Sequence, residues 1–125
     1  MNEIVTDKAP GALGPYSQGI IFQSLIFTSG QICLDPVNGN LKNEDIESEV
    51  KQIMANLKAI LEKGGSSFKS VIKTTIYLSD MKYYSEVNEL YASYFDGKYP
   101  ARTTVAVSLP MDANVEIDMI AIKDN

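Results

Sequence analysis

Val71-Ile72-Lys73-Thr74-Thr75-Ile76-Tyr77-Leu78 is a run rich in β-branched residues that lies between two stretches of helical periodicity. Residues of these types favour strands, and alternation along a strand puts Ile72, Ile76 and Leu78 on one face. The other face then carries Val71, Lys73, Thr75 and Tyr77. A strand between two helices predicts a sheet that is covered by helices.

The segment before this strand has the spacing of an amphipathic helix. Apolar residues recur every three or four positions over about residues 43–63, which gives one apolar stripe along a helix. Asn43 or Asp45 is the expected N-cap, and the pair Gly64-Gly65 is the expected end. We therefore predict a long helix with one buried face.

The segment after the strand predicts a second helix, over about residues 82–95. Asp80 is the expected cap and Gly97 the expected stop. One face of this helix is rich in tyrosine, which suits either core packing or a ligand platform, and we favour core packing.

The first part of the chain reads as β-structure with loops. Ile4-Val5 is a short predicted strand, and a loop rich in Gly and Pro follows it. The runs 19–22 and 25–28 are both β-branched and aromatic, and only Gln23-Ser24 separates them. A two-residue connection of this kind predicts a hairpin.

Two more predicted strands, over residues 103–107 and 115–122, complete the pattern. The element order is β-β-β-α-β-α-β-β, so we predict one α+β domain over residues 1–125, a mixed sheet with both helices on one face. The other sheet face carries Thr, Tyr and short apolar groups. We expect that face to be buried against further copies of the chain.

Composition narrows the possible functions. The 125 residues carry a net charge of −5, which argues against general attraction to nucleic acid or to an anionic membrane. There is no histidine, and Cys33 is the single cysteine, so no internal disulfide and no transition-metal site is expected. The N-terminal residues have no apolar signal core, and we expect a soluble cytoplasmic protein.

Arg102 and Glu116 are charged residues at the starts of two apolar strands. We expect these strands to be adjacent, so that a guanidinium and a carboxylate serve one small site. The simpler alternatives are a surface salt bridge for Arg102 and a solvated strand end for Glu116. With no histidine, proton chemistry must rest on other groups, and a buried Glu is a suitable proton carrier.

Other candidate residues give weaker signals by themselves. Tyr16 follows a rigid Gly-Pro turn and is either a lid on the core or a site residue. Ser29 precedes Gly30, where a ligand can approach the backbone closely, but no histidine is present to activate the serine. Cys33 lies in an apolar setting that raises a thiol pKa, and we interpret it as a core residue.

Six segments, taken together, resemble the RidA family of YjgF-type deaminases of reactive imines, also described as endoribonuclease L-PSP. They are Gly14-Pro15-Tyr16-Ser17-Gln18-Gly19, Thr28-Ser29-Gly30-Gln31, Val71-Ile72-Lys73-Thr74-Thr75, Val87-Asn88, Tyr99-Pro100-Ala101-Arg102-Thr103 and Val115-Glu116-Ile117. The resemblance covers essentially the whole chain. It implies a chorismate-mutase-like fold and a homotrimer with a site in each cleft between subunits.

The resemblance also implies an activity, which is hydrolysis of enamines and imines such as 2-aminoacrylate and 2-iminopropionate to 2-oxo acids and ammonia. This 2-iminobutanoate/2-iminopropanoate deaminase chemistry limits metabolite damage and needs neither metal nor cofactor. Arg102 would pair with the substrate carboxylate, Glu116 would activate water, and Tyr16 would close the pocket. The implied substrate-binding residues are Ser29, Gly30, Asn88 and Thr104.

Thr104 is a departure from the family, because many members carry Cys there. The departure removes a thiol and leaves the preferred imine open. A trimer that binds 2-oxo acids for regulation, without turnover, is the alternative. A ribonuclease is disfavoured by the missing histidine and the acidic charge.

Overall fold

A computed structural model describes residues 1–124, and within them the chain forms a six-stranded sheet and two α-helices. The elements are β1 Asn2–Ile4, β2 Gly19–Phe22, β3 Leu25–Thr28, α1 Ile46–Gly64, β4 Val71–Leu78, α2 Tyr84–Ala92, β5 Ala101–Ala106 and β6 Val115–Ile122. The predicted order β-β-β-α-β-α-β-β and the α+β class are confirmed. The sheet order is β1-β2-β3-β6-β4-β5, in which β4 and β5 are parallel and all other neighbours antiparallel.

The predicted hairpin is formed by β2 and β3. Gln23 takes the left-handed conformation, with φ 55°, that a tight two-residue turn needs. β1 pairs with the outer edge of β2 and ends at Ile4, one residue before the predicted end. Strands β1, β2 and β3 therefore form a meander. β3 connects this meander to the rest of the sheet by pairing with β6.

Helix α1 has the caps that its sequence indicates. Asp45 Oδ1 accepts a hydrogen bond from Ser48 N at 2.7 Å, and Gly65 ends the helix at φ 87°. The apolar stripe, including Ile53, Met54 and Leu57, is fully buried against the sheet. Each such side chain contributes about 1.5–3 kcal/mol of burial free energy. No helix within residues 1–124 combines the length and hydropathy that crossing a bilayer requires.

Helix α2 is shorter than predicted. Residues 81–83 form a 3₁₀ turn, with Asp80 Oδ1 accepting from Lys82 N at 2.8 Å, and the α-helix ends at Ala92 rather than near residue 95. Beyond Ala92, the N–H of Phe95 bonds the carbonyl three residues back, and the Ser93 hydroxyl bonds Leu90 O at 2.6 Å. These tighter bonds end the helix before Gly97.

At the start of β4, the side chains that face the core also differ from the prediction. A register shift lies between Val71 and Lys73, so Val71 is buried in the core while Ile72 is 43% exposed. An extra residue in one strand reverses the alternation beyond it. The prediction that Ile72 shares the core face of Ile76 is therefore wrong.

The two faces of the sheet have different surroundings. Both helices cover one face, where Thr74, Ile76 and Leu78 of β4 are buried. We call the other side the open face. It carries polar groups on β4, β5 and β6, and exposed apolar groups, among them Phe22, Phe27, Val105 and Ile122. Burial of this face against other copies stays a prediction.

Candidate functional site

Arg102 and Glu116 do not lie on adjacent strands, and this part of the sequence interpretation is wrong. β4 runs between β5 and β6; Arg102 pairs with Thr74, and Glu116 pairs with Tyr77. The two backbones are about 10 Å apart along the strands and about 10 Å apart across them. Chain order does not fix sheet order, because β6 inserts between β3 and β4.

The two residues also face opposite sides of the sheet. Thr74, the partner of Arg102, is fully buried on the helix-covered face, whereas Glu116 alternates with the core residues Val115 and Ile117 and so lies on the open face. In one copy of the chain, Arg102 and Glu116 therefore lie in two separate places, which we call the Arg102 half-site and the Glu116 half-site.

The Arg102 half-site is held by helix α2. Nη2 donates to Asn88 Oδ1 at 2.7 Å and to the Tyr84 hydroxyl at 3.3 Å. The guanidinium carbon lies 5.3 Å from the ring centre of Tyr91 and 5.7 Å from that of Tyr84. Cation–π contacts of this kind stabilise the charged guanidinium beside the two rings and so hold it in a fixed position. Asn88 and Arg102 are thus brought together, and they line a cavity of about 280 Å³.

The tyrosine-rich face of α2 serves the core and this half-site at once. Tyr91 is almost fully buried, and its hydroxyl shares a hydrogen bond of 2.8 Å with Thr74 Oγ1. Burial raises the pKa of Tyr91 above its usual value, so the phenol stays neutral. Core packing is confirmed for this residue, and the same fixed ring stacks on Arg102.

Arg102 has no carboxylate partner within residues 1–124. Within these residues, Arg102 therefore forms no surface salt bridge, which was the simpler alternative. Both of its side-chain hydrogen bonds there come from Nη2. Its remaining N–H groups form the planar fork that binds a carboxylate with two hydrogen bonds.

Thr104 lies two residues after Arg102 and on the same face of β5, opposite Ile76 of β4. Its Oγ1 atom is buried without a hydrogen-bond partner in the described part of the chain. Such a hydroxyl is costly to leave unpaired. Thr104 lines neither the Arg102 cavity nor the larger one beside Glu116.

The Glu116 half-site is a cavity of about 510 Å³ between three loop segments, in residues 10–16, 29–34 and 110–111, and the start of β6. Three other predicted site residues, Tyr16, Ser29 and Gly30, line it together with Glu116. The walls are mainly apolar and include Pro10, Leu13, Ile32, Leu34 and Met111. Glu116 is the one charged residue among the described residues that line this space.

Gly30 is required by the position of Glu116. A β-carbon at residue 30 would collide with the Glu116 carboxylate, so a side chain there displaces it. Gln31 fixes the segment of residues 29–31 through two backbone hydrogen bonds to Ile117, with N···O distances of 2.9 and 3.1 Å. The backbone of residues 29–31 is thus held directly against the carboxylate.

Burial raises the pKa of Glu116 above its ordinary value, and the negative charge of Asp118 raises it further. Asp118 lies two residues along the same face of β6 and accepts a hydrogen bond of 2.9 Å from the Tyr77 hydroxyl. A carboxyl with a raised pKa exchanges protons more readily near neutral pH than an exposed one. The alternative of a solvated strand end does not fit this half-buried group.

Ser29 and Tyr16 are held in different ways. The Ser29 hydroxyl donates to Ser17 O at 2.5 Å, so it ties two loops together. The Tyr16 ring is half exposed, and its hydroxyl accepts a hydrogen bond from Leu13 N at 3.2 Å. Among the described residues, the Tyr16 hydroxyl hydrogen has no hydrogen-bond acceptor.

Gln18 is a supporting residue whose role the sequence analysis missed. Its buried side-chain amide donates to Thr6 O at 2.9 Å and Pro10 O at 2.8 Å, and its Oε1 accepts from Thr6 N at 2.8 Å. These bonds fix the loop that carries one wall of the Glu116 cavity. The only sequence signal was the place of Gln18 in the segment 14–19.

Glu49 is the second missed residue. It is fully buried, and its two oxygens accept hydrogen bonds from Asn114 N at 3.0 Å and Asn114 Nδ2 at 2.8 Å, just before β6 begins. Its position on the apolar stripe, three residues after Ile46, was the available signal. Cys33 Sγ contacts the same carboxylate at 3.6 Å, and burial, with Glu49, raises the pKa of this thiol to about 11. The interpretation of Cys33 as a small core residue is confirmed.

Within residues 1–124, no group of three or more potential metal-ligating side chains comes together. The groups that the structure brings to the two cavities include the Arg102 guanidinium, the half-buried Glu116 carboxyl, the Tyr16 phenol and backbone N–H groups. Such a set suits binding of a small carboxylate and a proton transfer.

Comparison with known proteins gives a consistent picture. The sequence profile of the family described as endoribonuclease L-PSP matches residues 6–123. A RutC family protein of Pyrococcus abyssi is 44% identical over 97% of this chain and 96% of its own length. A human protein named 2-iminobutanoate/2-iminopropanoate deaminase is 42% identical over 96% of this chain and 88% of its own length.

Two crystal structures from E. coli show the same fold. The yjgF gene product superposes with a TM-score of 0.93 at 36% identity, covering 99% of this chain and 100% of that one. TdcF with bound serine superposes with a TM-score of 0.94 at 38% identity, again covering 99% of this chain and 100% of that one.

Proposed function

Because the chain belongs to the endoribonuclease L-PSP family, which includes the RidA deaminases, we propose that it hydrolyses 2-imino acids and their enamine tautomers to 2-oxo acids and ammonia. The observation that carries this proposal is Glu116, a half-buried carboxyl with a raised pKa in a largely apolar cavity. A passive pocket for carboxylates gains nothing from an anion at this point, whereas a hydrolase needs a proton carrier there.

The working unit of this proposal is a homotrimer with its sites between copies. Support comes from the opposite facing of Arg102 and Glu116 in one copy, since a small ligand that touches both needs a second copy. The exposed apolar groups of the open face give the copies a surface to bury.

Arg102 of one copy binds the substrate carboxylate through its free N–H groups, and Asn88 keeps the guanidinium in place. Glu116 of the next copy accepts a proton from water as the oxygen adds to the imine carbon. It then gives that proton to the nitrogen of the tetrahedral intermediate. The second proton of the added water passes by the same carboxyl from the hydroxyl group to the nitrogen, so that the C=O bond forms, the C–N bond breaks and ammonia leaves. Water and imine supply all the atoms of the products, so no cofactor is needed.

The other proposed residues shape the site. Tyr16 closes the cavity with a free hydroxyl hydrogen, and Gly30 leaves room for the Glu116 carboxylate. Ser29 acts through its bond to Ser17. Thr104, with its buried and unpaired hydroxyl, is the proposed contact beside Arg102. In the cytoplasm such an enzyme would limit damage by reactive imines.

A second candidate is a regulatory trimer that binds 2-oxo or amino acids without turnover. The serine-bound TdcF structure favours it, because serine is a small carboxylate rather than an imine. Both functions use the Arg102 fork, and only the hydrolase uses Glu116 as a proton carrier.

A coupled assay tests the proposal directly. Threonine dehydratase generates 2-aminocrotonate and 2-iminobutanoate in place, and release of 2-oxobutanoate is followed with and without the protein. We expect release to exceed the buffer rate in proportion to protein concentration. Release at the buffer rate, together with binding of serine or pyruvate, would select the regulatory candidate.

A further inference from the structure

Glu49 is a buried carboxylate that the proposed reaction does not use. It lies on the buried face of α1, next to Val50 and about one turn from Ile53, and is itself fully buried. Within residues 1–124, no Lys or Arg pairs with it. Burial of a carboxylate without a cation costs free energy unless hydrogen-bond donors replace the lost water. The identity of those donors therefore indicates the role of Glu49.

Two of the donors belong to Asn114, the residue before β6. Glu49 Oε1 accepts from Asn114 N at 3.0 Å, and Glu49 Oε2 accepts from Asn114 Nδ2 at 2.8 Å. The remaining polar atoms of Asn114 bond Ser79, which follows β4. Ser79 N donates to Asn114 O at 2.9 Å, and Ser79 Oγ donates to Asn114 Oδ1 at 3.0 Å. Every polar atom of Asn114 is therefore engaged, by α1 on one side and by the end of β4 on the other.

The chain that leads into Asn114 does not fix this residue by itself. Met111 and Asp112 both take the left-handed conformation, with φ 56° and 55°. For residues other than Gly this conformation is unfavourable and persists only where the surrounding structure holds it. Glu116 follows Asn114 by two residues, with the fully buried Val115 between them. Because one residue of strand joins them, a shift of Asn114 also shifts Glu116.

One loop wall of the Glu116 cavity is tied to the same helix. Cys33 Sγ donates to Glu49 Oε1 at 3.6 Å. Asn56, about two turns after Glu49 and also fully buried, donates from Nδ2 to Leu34 O at 2.9 Å. Leu34 lines the cavity. Polar side chains on one buried face of α1 thus hold both this loop and the strand that carries Glu116.

From these contacts we infer that Glu49 is a positioning residue, which fixes Asn114 and, through it, the carboxyl of Glu116. The effect on turnover rests on the proposed function, whereas the placement of Glu116 can be measured without turnover. Placement matters for catalysis, since a misplacement of about 1 Å can cost about 10²-fold in rate.

Glu49→Gln tests the inference because it keeps the shape of the side chain and removes one acceptor. The new amide oxygen can accept from Asn114 N, but the new NH₂ group then faces the NH₂ group of Asn114, donor to donor. We expect kcat to fall by about 10-fold or more. Affinity for pyruvate should stay unchanged, because Arg102, the proposed carboxylate-binding residue, is held by Asn88 and Tyr84 of α2.

A control and a rescue separate positioning from a general loss of stability. Ile60→Val, at a fully buried site about three turns beyond Glu49, should lower Tm and leave kcat unchanged. In Glu49→Gln/Asn114→Asp, the new amide can donate to the new carboxylate, whose second oxygen accepts from Ser79. We expect kcat to recover in this double variant and to stay low in Asn114→Asp alone, where two carboxylates meet. Wild-type kcat in Glu49→Gln, an equal fall in Ile60→Val, or a double variant no better than Glu49→Gln would overturn the inference.

Crystal structures of the wild type, Glu49→Gln and the double variant separate this inference from the proposed function. We expect the Glu116 carboxyl to move by about 0.5 Å or more in Glu49→Gln and to return in the double variant. An unmoved Glu116 contradicts the inference even where the protein hydrolyses imines. Displacement and return in a protein that hydrolyses no imine support the role of Glu49 in placing Glu116 and contradict the deaminase.

Discussion

The Arg102 and Glu116 half-sites differ in how the surrounding structure holds the charged group and in how it affects the charge. Arg102 sits on a regular scaffold, where one strand and one helix fix the guanidinium through Asn88 and two tyrosine rings. Glu116 starts a strand but faces loops, and burial with a nearby carboxylate raises its pKa. The first arrangement stabilises a charge for binding, and the second makes a charge easy to neutralise. Under the proposed function, binding and proton transfer are thus separated in one copy of the chain.

The largest effect that tests this division is expected from Glu116→Gln. The amide keeps the shape but cannot carry the proton, so kcat should fall by about 10²–10⁴-fold while affinity for pyruvate stays similar or becomes tighter. Steady-state kinetics and calorimetry on the same preparation measure both. A variant that loses affinity and keeps kcat would show that Glu116 binds rather than catalyses.

The second largest effect is expected from substitutions of Arg102, the residue proposed to bind the substrate carboxylate. Arg102→Lys should fail nearly as badly as Arg102→Ala, because an ammonium cannot form the two-pronged bond to a carboxylate. A hydrogen bond to a charged group is worth about 1.5–3 kcal/mol, so kcat/KM should fall at least about tenfold to a hundredfold in both variants. Lys82→Ala is a control, since Lys82 lies 5.2 Å from the Tyr83 ring but outside both cavities. Full activity in Arg102→Ala would remove Arg102 from the site.

The smallest effect is a shift in pH dependence. Glu116 must be ionised to accept a proton from water, so activity should rise with pH through its pKa. The charge of Asp118 contributes to the raised pKa of Glu116. Asp118→Asn should therefore lower that pKa and move the acid limb of kcat/KM to lower pH, by about one unit or less. An unchanged or upward-shifted limb would contradict the electrostatic account.

The raised pKa of Glu116 also makes the stability of the folded state depend on pH. The folded state holds the proton on Glu116 more tightly than the unfolded state, so its burial is tolerated at low pH and costs stability as pH rises through and above the ordinary value of 4.5. Under the proposed function, this cost to stability accompanies a carboxyl whose raised pKa suits proton transfer.

Local patterns predicted much of this molecule. The apolar stripe of α1, its cap at Asp45 and its end at Gly65 all follow from neighbouring residues and are present in the structure. The same holds for the hairpin turn at Gln23. The resemblance located Tyr16 and Glu116, which line one cavity.

Features set by distant contacts were not predictable in the same way. Sheet order depends on β6 pairing with both β3 and β4, which no local pattern of β5 or β6 reveals. The reversal at Val71 depends on pairing with β6, and the burial of Glu49 depends on Asn114, far along the chain. The separation of Arg102 from Glu116 is therefore a tertiary property.

The central claim is that a complete site takes Arg102 from one copy and Glu116 from another, and subunit mixing tests it most directly. Arg102→Ala and Glu116→Gln proteins, each much less active than the wild type when alone, are unfolded, combined in equal amounts and refolded. Random mixing should give about a quarter of sites both intact residues, so about a quarter of wild-type activity should return in a species of trimer mass by light scattering. Activity no higher than that of the separate variants would contradict the claim.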